Sequence, residues 1–133
     1  MRVVSQDYKI KVIEIHKLHP HELINGTRFE EIKEELLSTE RIFPIIVDQN
    51  SDVILDGHHR YNVLKTLGFR KIPVISVDYN NENIGLFPWR EGEEITKEDV
   101  IRRGISGELY PPKTSRHVLG LENPITVPLK SLR

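Results

Sequence analysis

The chain has 133 residues, 38% of them hydrophobic and 29% charged, enough apolar material for one domain (1–133) with a real core. Nineteen basic residues against twenty acidic ones leave a formal net charge of −1, which argues against the broad cationic surface of sequence-independent nucleic-acid binding. With no cysteine, disulfides, thiolate metal sites and thiol nucleophiles are excluded, and no apolar run approaches the ~20 residues that cross a bilayer. The charged start MRVVSQDYKIKV lacks the apolar stretch of a signal peptide, so the expected location is cytoplasmic.

In chain order, YKIKVIEI (8–15) alternates as a strand, with Ile10 and Val12 inward and Ile13 and Ile15 as further candidates. HKLHPHE follows as a proline-containing connection. In TRFEEIKEELLS, Thr27 and Glu30 stand at the capping-box spacing, so a helix capped by Thr27 is expected, with Phe29, Ile32 and Leu36 on its apolar face. FPIIVD reads as a strand, DQNSD as a turn and VILD as the returning strand of a hairpin. From His58 a helix is predicted, because Tyr61, Val63, Leu64 and Leu67 repeat along one face and Gly68 stops it. IPVISVDY (72–79) is another buried strand; residues 80–96 are polar and turn-rich around FPW; KEDVIRRG is a short helix ended by Gly104. Pro111, Pro112, Pro124 and Pro128 keep the tail from forming a long helix. The expected class is a small α/β (α+β) domain, a mixed sheet with helices packed against it.

Asp56-Gly57-His58-His59-Arg60 falls where the VIL strand turns into a helix. First-turn N–H groups there have no intrahelical acceptor and attract anions. Gly57 permits positive φ or close backbone approach, and Arg60 can fork onto phosphate oxygens. Asp56 faces an anion favourably only across a bridging cation, which implies Mg²⁺. The plain alternative is an N-cap aspartate followed by exposed histidines.

Three further clusters carry chemistry. His19 and His21, with His16, are conceivable metal ligands, although histidines in such a loop are more often solvent-exposed; Glu22 reads as a general base or as an ordinary surface acid. Trp89, the only tryptophan, reads as a core plug that anchors its loop. Lys113-Thr114-Ser115-Arg116-His117 gathers two cations, two hydroxyls and an imidazole after a rigid proline pair, a set suited to phosphate or carboxylate and otherwise a surface charge cluster. GxxxxGK[ST], GxGxxG and GxSxG are all absent.

Together, LHPHE (18–22), DGHHR within VILDGHHRYNVLKTLGF (53–69), FPW (87–89) and YPPKTSRHVL (110–119) resemble the ParB/sulfiredoxin superfamily, and within it the archaeal free serine kinase branch. The resemblance runs from about residue 10 to the end. It implies a ParB/sulfiredoxin-like fold and Mg²⁺-dependent transfer of a phosphoryl group from ATP or ADP to the hydroxyl of free L-serine. The product, O-phospho-L-serine, serves cysteine biosynthesis in that branch. By the same resemblance Glu22 is the catalytic base, with Asp56 and His58 beside it. The nucleotide phosphates lie on Asp56, Gly57, His58, His59, Arg60, Lys113, Thr114 and Arg116, with the metal on Asp56. The serine lies among Glu22, Trp89, Thr114, Ser115, Arg116 and His117. Free serine and nucleotide are then the expected partners, with no nucleic acid and no membrane, in a monomer or small homo-oligomer. Longer relatives carry an extra segment between FPW and the tail motif, where this chain has one short helix. The rival readings are a ParB-like nucleotide-binding module or a nuclease acting with DNA, for which no helix-turn-helix segment or basic face is visible. A sulfiredoxin-like reductase would lack its cysteine.

Overall fold

The β-branched runs in the middle of the chain build a four-stranded mixed sheet. A computed structural model describes residues 9–89, 91–112, 114–118 and 125–133. Its elements are β1 (Ile10–Glu14), α1 (Gly26–Thr39), β2 (Arg41–Ile42), β3 (Ile45–Asp48), β4 (Ile54–Asp56), α2 (His58–Thr66), β5 (Lys71–Val77), β6 (Gly85–Pro88), α3 (Lys97–Ser106), β7 (Ser115–Val118) and β8 (Val127–Pro128). The sheet runs β1-β5-β3-β4, with β3 and β5 parallel and the outer pairs antiparallel. The expected mixed sheet with packed helices is present, including the β3–β4 hairpin.

Strand alternation sends side chains to two cores. Ile45, Val47, Ile54, Ile72 and Val74 join Ile32 and Leu36 of α1, Val63 and Leu64 of α2, and Leu129 and Leu132 near the end. Ile46, Val53, Leu55, Ile75 and Val77 join Val100 of α3, Tyr79 and Ile84. Burying one such side chain contributes about 1.5–3 kcal/mol, so the sheet and its two helical covers form a rigid frame.

Three expectations change. Val12 is 47% exposed on the edge strand rather than inward, while Ile15 is buried. The cap of α1 is Asn25, whose Oδ1 accepts the Arg28 N–H at 3.0 Å, and Thr27 lies inside the helix. Asn25 wins because its own N–H is fixed outside the helix by His59 Nε2 at 3.0 Å. α3 continues through Gly104 to Gly107, which takes the left-handed cap at φ 80°. Gly104 is a close-packing glycine, since a Cβ there would stand 2.7 Å from Val53 Cγ2.

The tail forms short strands rather than a long helix among the described residues. β6 and β7 pair with Phe87 opposite Arg116 and Pro88 opposite Ser115, so the FPW segment and the tail cluster share one ribbon.

Candidate active site

The site begins with the loop that carries Glu22. On one side, His19 N donates to Asp52 O at 3.0 Å, and its carbonyl accepts Ile54 N at 2.9 Å. On the other, Tyr110 N donates to His21 O at 2.8 Å, and Leu23 N to Tyr110 O at 2.7 Å. The two DGHHR histidines complete the attachment: His58 Nε2 accepts the His21 N–H at 3.1 Å, and His59 Nε2 accepts the Asn25 N–H. A ring nitrogen that accepts an amide proton carries none of its own, so both imidazoles are neutral in this arrangement. His58 is buried, and burial, with His21, His117 and His59 nearby, holds its pKa well below the ordinary 6.5. The plain alternative of exposed histidines fails for His58. Neutral imidazoles bring geometry, not charge, to an anion.

His21 also departs from expectation, being fully buried. Among the described residues no group of three His, Cys, Asp or Glu side chains could hold a metal, so the His16–His19–His21 cluster is not a metal site.

Glu22 is held from the tail. Its Oε1 accepts Ser115 N at 2.9 Å, Ser115 Oγ at 2.8 Å and Thr114 N at 3.3 Å. The Thr114 hydroxyl is directed to Pro111 O at 2.7 Å. His117 sits on Tyr79 through Nε2 at 2.7 Å, and burial, then the adjacent His21, pulls its pKa down to about 3. Burial pushes the Tyr79 phenol up, so its O–H donates to the neutral ring.

The strand–helix junction supplies the opposite wall. Gly57 has φ 106°, and a Cβ there would lie 2.8 Å from Ile45 Cβ, so glycine is required on both counts. Arg60 spends one arm on Pro44 O at 3.0 Å and Phe43 O at 3.3 Å, and the other on Asp56 Oδ2 at 3.3 Å. Burial lowers its pKa and Asp56 opposes that shift. The Asp56 side chain stays 58% exposed.

Trp89 is no core plug. It is 53% exposed, and the Arg116 guanidinium lies 5.8 Å from its ring and 5.1 Å from that of Phe87. Such cation–π contacts fix the arginine without consuming its N–H donors.

These parts line one cleft of about 680 Å³. It gathers Glu22, Asp56-Gly57-His58-His59-Arg60, Trp89 and Ser115-Arg116-His117. Thr114 lies behind it and reaches it through Glu22; Lys113 lies outside the described residues. Sequence reasoning missed Asn25, Thr27, Arg28 and Glu31, which line the cleft at the start of α1. Their one legible signal was position, directly after HPHE. The arrangement offers an oriented carboxylate, a helix N-terminus, arginines and an aromatic wall, the parts that phosphoryl transfer needs.

No family profile matches the chain. It is 42% identical over 83 residues to a ParB-like protein of Sulfolobus acidocaldarius, an overlap of 62% of this chain and 42% of the relative. It is 35% identical over 103 residues to an ATP-dependent L-serine kinase of Staphylothermus marinus, covering 67% of this chain and 41% of that protein. The chain thus spans about two fifths of the length of the curated relatives it matches. A free serine kinase in complex with AMP superposes with a TM-score of 0.83 at 20% identity, over 93% of both chains. A conserved hypothetical protein from Pyrococcus furiosus gives 0.84 at 19% identity over the full length of both.

The fold defines the class as an α+β domain with a small mixed sheet, and by sequence the chain is similar to a ParB-like protein over 62% of its length. Within that class its relatives by sequence include L-serine kinases, and its fold is the free serine kinase fold.

Proposed function

We propose that the cleft transfers a phosphoryl group from ATP or ADP to the hydroxyl of free L-serine, in the cytoplasm, giving O-phospho-L-serine for cysteine biosynthesis. One observation carries the reading. Three donors from Thr114 and Ser115 aim the Glu22 carboxylate in the cleft that also holds the α2 N-terminus, Asp56, Trp89 and Arg116. The relatives named as L-serine kinases support it.

Glu22 takes the proton of the serine hydroxyl as its oxygen attacks phosphorus. The first-turn N–H groups of α2 and the Gly57 turn receive the nucleotide phosphates. Arg116, held by Phe87 and Trp89, meets the charge that redistributes on the transferring group, while the Trp89 ring walls the serine. His58 and His59 hold the Glu22 loop in place. The Asp56 carboxylate, exposed to the cleft with one oxygen also on Arg60, would hold Mg²⁺, which would supply charge neutralisation for the phosphates.

The test is incubation with L-serine and Mg²⁺, with ATP or ADP, read by phosphorus NMR. Phosphoserine with matching nucleotide product, abolished by EDTA, is the expected result. A folded protein that forms none with either donor refutes the reading.

A further inference from the structure

Glu22, Ser115 and His21 form a line with two acceptors and one shared proton. His21 Nδ1 lies 2.7 Å from Ile54 O, and a carbonyl only accepts, so Nδ1 carries the hydrogen. Burial pulls His21 down to about 4, so near neutral pH the ring has no second proton. Its Nε2 is therefore an acceptor, 2.8 Å from Ser115 Oγ. The same hydroxyl lies 2.8 Å from Glu22 Oε1. A serine hydroxyl has one hydrogen and cannot serve both at once.

The ionised carboxylate is the stronger acceptor and holds that hydrogen in the resting site. Nε2 of His21 then faces an oxygen lone pair in a buried setting. Once Glu22 is protonated its claim weakens, and the hydroxyl turns to donate to His21 while the backbone N–H groups of Thr114 and Ser115 stay on Oε1.

We propose that Ser115 is a two-position rotor for Glu22, donating to the carboxylate at rest and swinging to His21 Nε2 as Glu22 takes the proton of the acceptor hydroxyl. This rests on the reading of Glu22 as the base. Ser115 and His21 are positioning residues that act through it. In the step, the acceptor O–H bond breaks and its proton bonds to Glu22. Its electron pair forms the bond to phosphorus, and the bond from phosphorus to the nucleotide oxygen breaks with its pair left on that oxygen. The Ser115 O–H bond persists throughout, and His21 stays neutral on Ile54 O. Turning toward His21 preserves a hydrogen bond when the carboxylate charge disappears, which stabilises the protonated base where it forms.

The groups that face this line are consistent with it. His21 meets His58 of α2 at 4.6 Å between ring centroids, His117 of β7 at 5.8 Å and Tyr110 at 6.2 Å. Both histidines are held neutral by burial. Glu22 shares the cleft with Arg28 and Glu31 of α1, Asp56, His59 and Arg60 at the junction, and Arg116 of β7. The rotor adds a response at His21.

The experiment holds the whole chain at neutral pH, where His21 is neutral, with ¹⁵N on imidazoles, and compares the wild type with Glu22→Gln, whose uncharged amide stands for the protonated base. In Glu22→Gln the His21 Nε2 signal is expected to move upfield, in the sense of an accepted hydrogen bond, while remaining far from an imidazolium. Ser115→Ala abolishes the response, and Ser115→Thr, which keeps the hydroxyl, restores it. In the phosphoserine assay Ser115→Ala lowers kcat about tenfold, the worth of one hydrogen bond, with nucleotide Kd unchanged. A His21 signal that is the same in the wild type and Glu22→Gln, or the same shift when Ser115→Ala is added to Glu22→Gln, overturns the rotor. Absence of phosphoserine formation by the wild type would instead overturn the kinase reading, and the spectrum still decides the rotor.

Discussion

Among the described residues, two clefts of similar size, about 680 and 620 Å³, use their polar groups in opposite ways. In the second, Asp48 is 4% exposed, its Oδ2 accepting Ser51 N and Oγ at 3.0 and 2.6 Å and its Oδ1 accepting Tyr79 N at 3.2 Å. Lys97 Nζ donates to Tyr79 O and Asn81 O at 2.9 and 3.1 Å. These groups tie the chain to itself. In the first cleft Asp56 stays largely exposed, Arg116 is exposed and rests on aromatic rings, and Trp89 is half exposed. Volume does not separate the two clefts; the polar capacity presented to solvent does.

The sharpest way to break this contrast is at Glu22. Glu22→Gln keeps the size and the contacts to Thr114 and Ser115 but removes the base, and kcat should fall by roughly 10²–10⁴. Nucleotide affinity should barely change, and a fully active variant would return Glu22 to the surface acids. Next comes Arg116→Ala. Stopped-substrate kinetics should show kcat/KM reduced on the order of 10²-fold, as for the loss of one donor to a developing anion, with the ligand-free Tm near wild type. Arg116→Lys should recover only part, because an ammonium lacks the planar fork.

What the sequence made legible was local. The β3–β4 hairpin and the turn from β4 into α2 at Gly57 each depend on neighbours in the chain, and both are as read. Glu22 and Ser115 are 93 positions apart, and nothing in either segment announces that one carboxylate oxygen accepts two bonds from that residue. The same holds for His58 and His59, whose motif suggests anion contact while their Nε2 atoms hold the N–H groups of His21 and Asn25. Gly104 misled for another reason: glycine marks helix ends by its left-handed φ and helix interiors by its missing Cβ, and only Val53 across the interface tells which applies. Trp89 reads as core by average burial, but the arginine that stands opposite Phe87 across the ribbon also rests against the Trp89 ring.

Smaller effects sharpen the comparison from the second cleft. Asp48→Ala should cost about 1–3 kcal/mol of stability by stranding buried donors, measured by denaturant unfolding, with nucleotide Kd unchanged. Acid should act through the buried histidines. His21 and His117 are depressed to about 4 and about 3 from an ordinary 6.5, so below that value the unfolded chain binds protons that the folded chain refuses. Their contribution is complete above pH 6.5 and is lost as pH falls toward 4 and then 3; Tm should drop across that window, and His117→Gln should flatten the fall.

The central claim is that nucleotide and serine occupy the first cleft and leave the second alone. Amide and indole ¹H–¹⁵N signals recorded while ADP, Mg²⁺ and L-serine are added to the Glu22→Gln protein test this directly, because that variant binds without turning over. Shifts are expected at Gly57, His58, Arg60, Ser115 and the Trp89 indole, with Asn50, Ser51, Asn80 and Ser106 unmoved. Shifts confined to the second set, or no saturable shift at Gly57 and Trp89, would contradict the account.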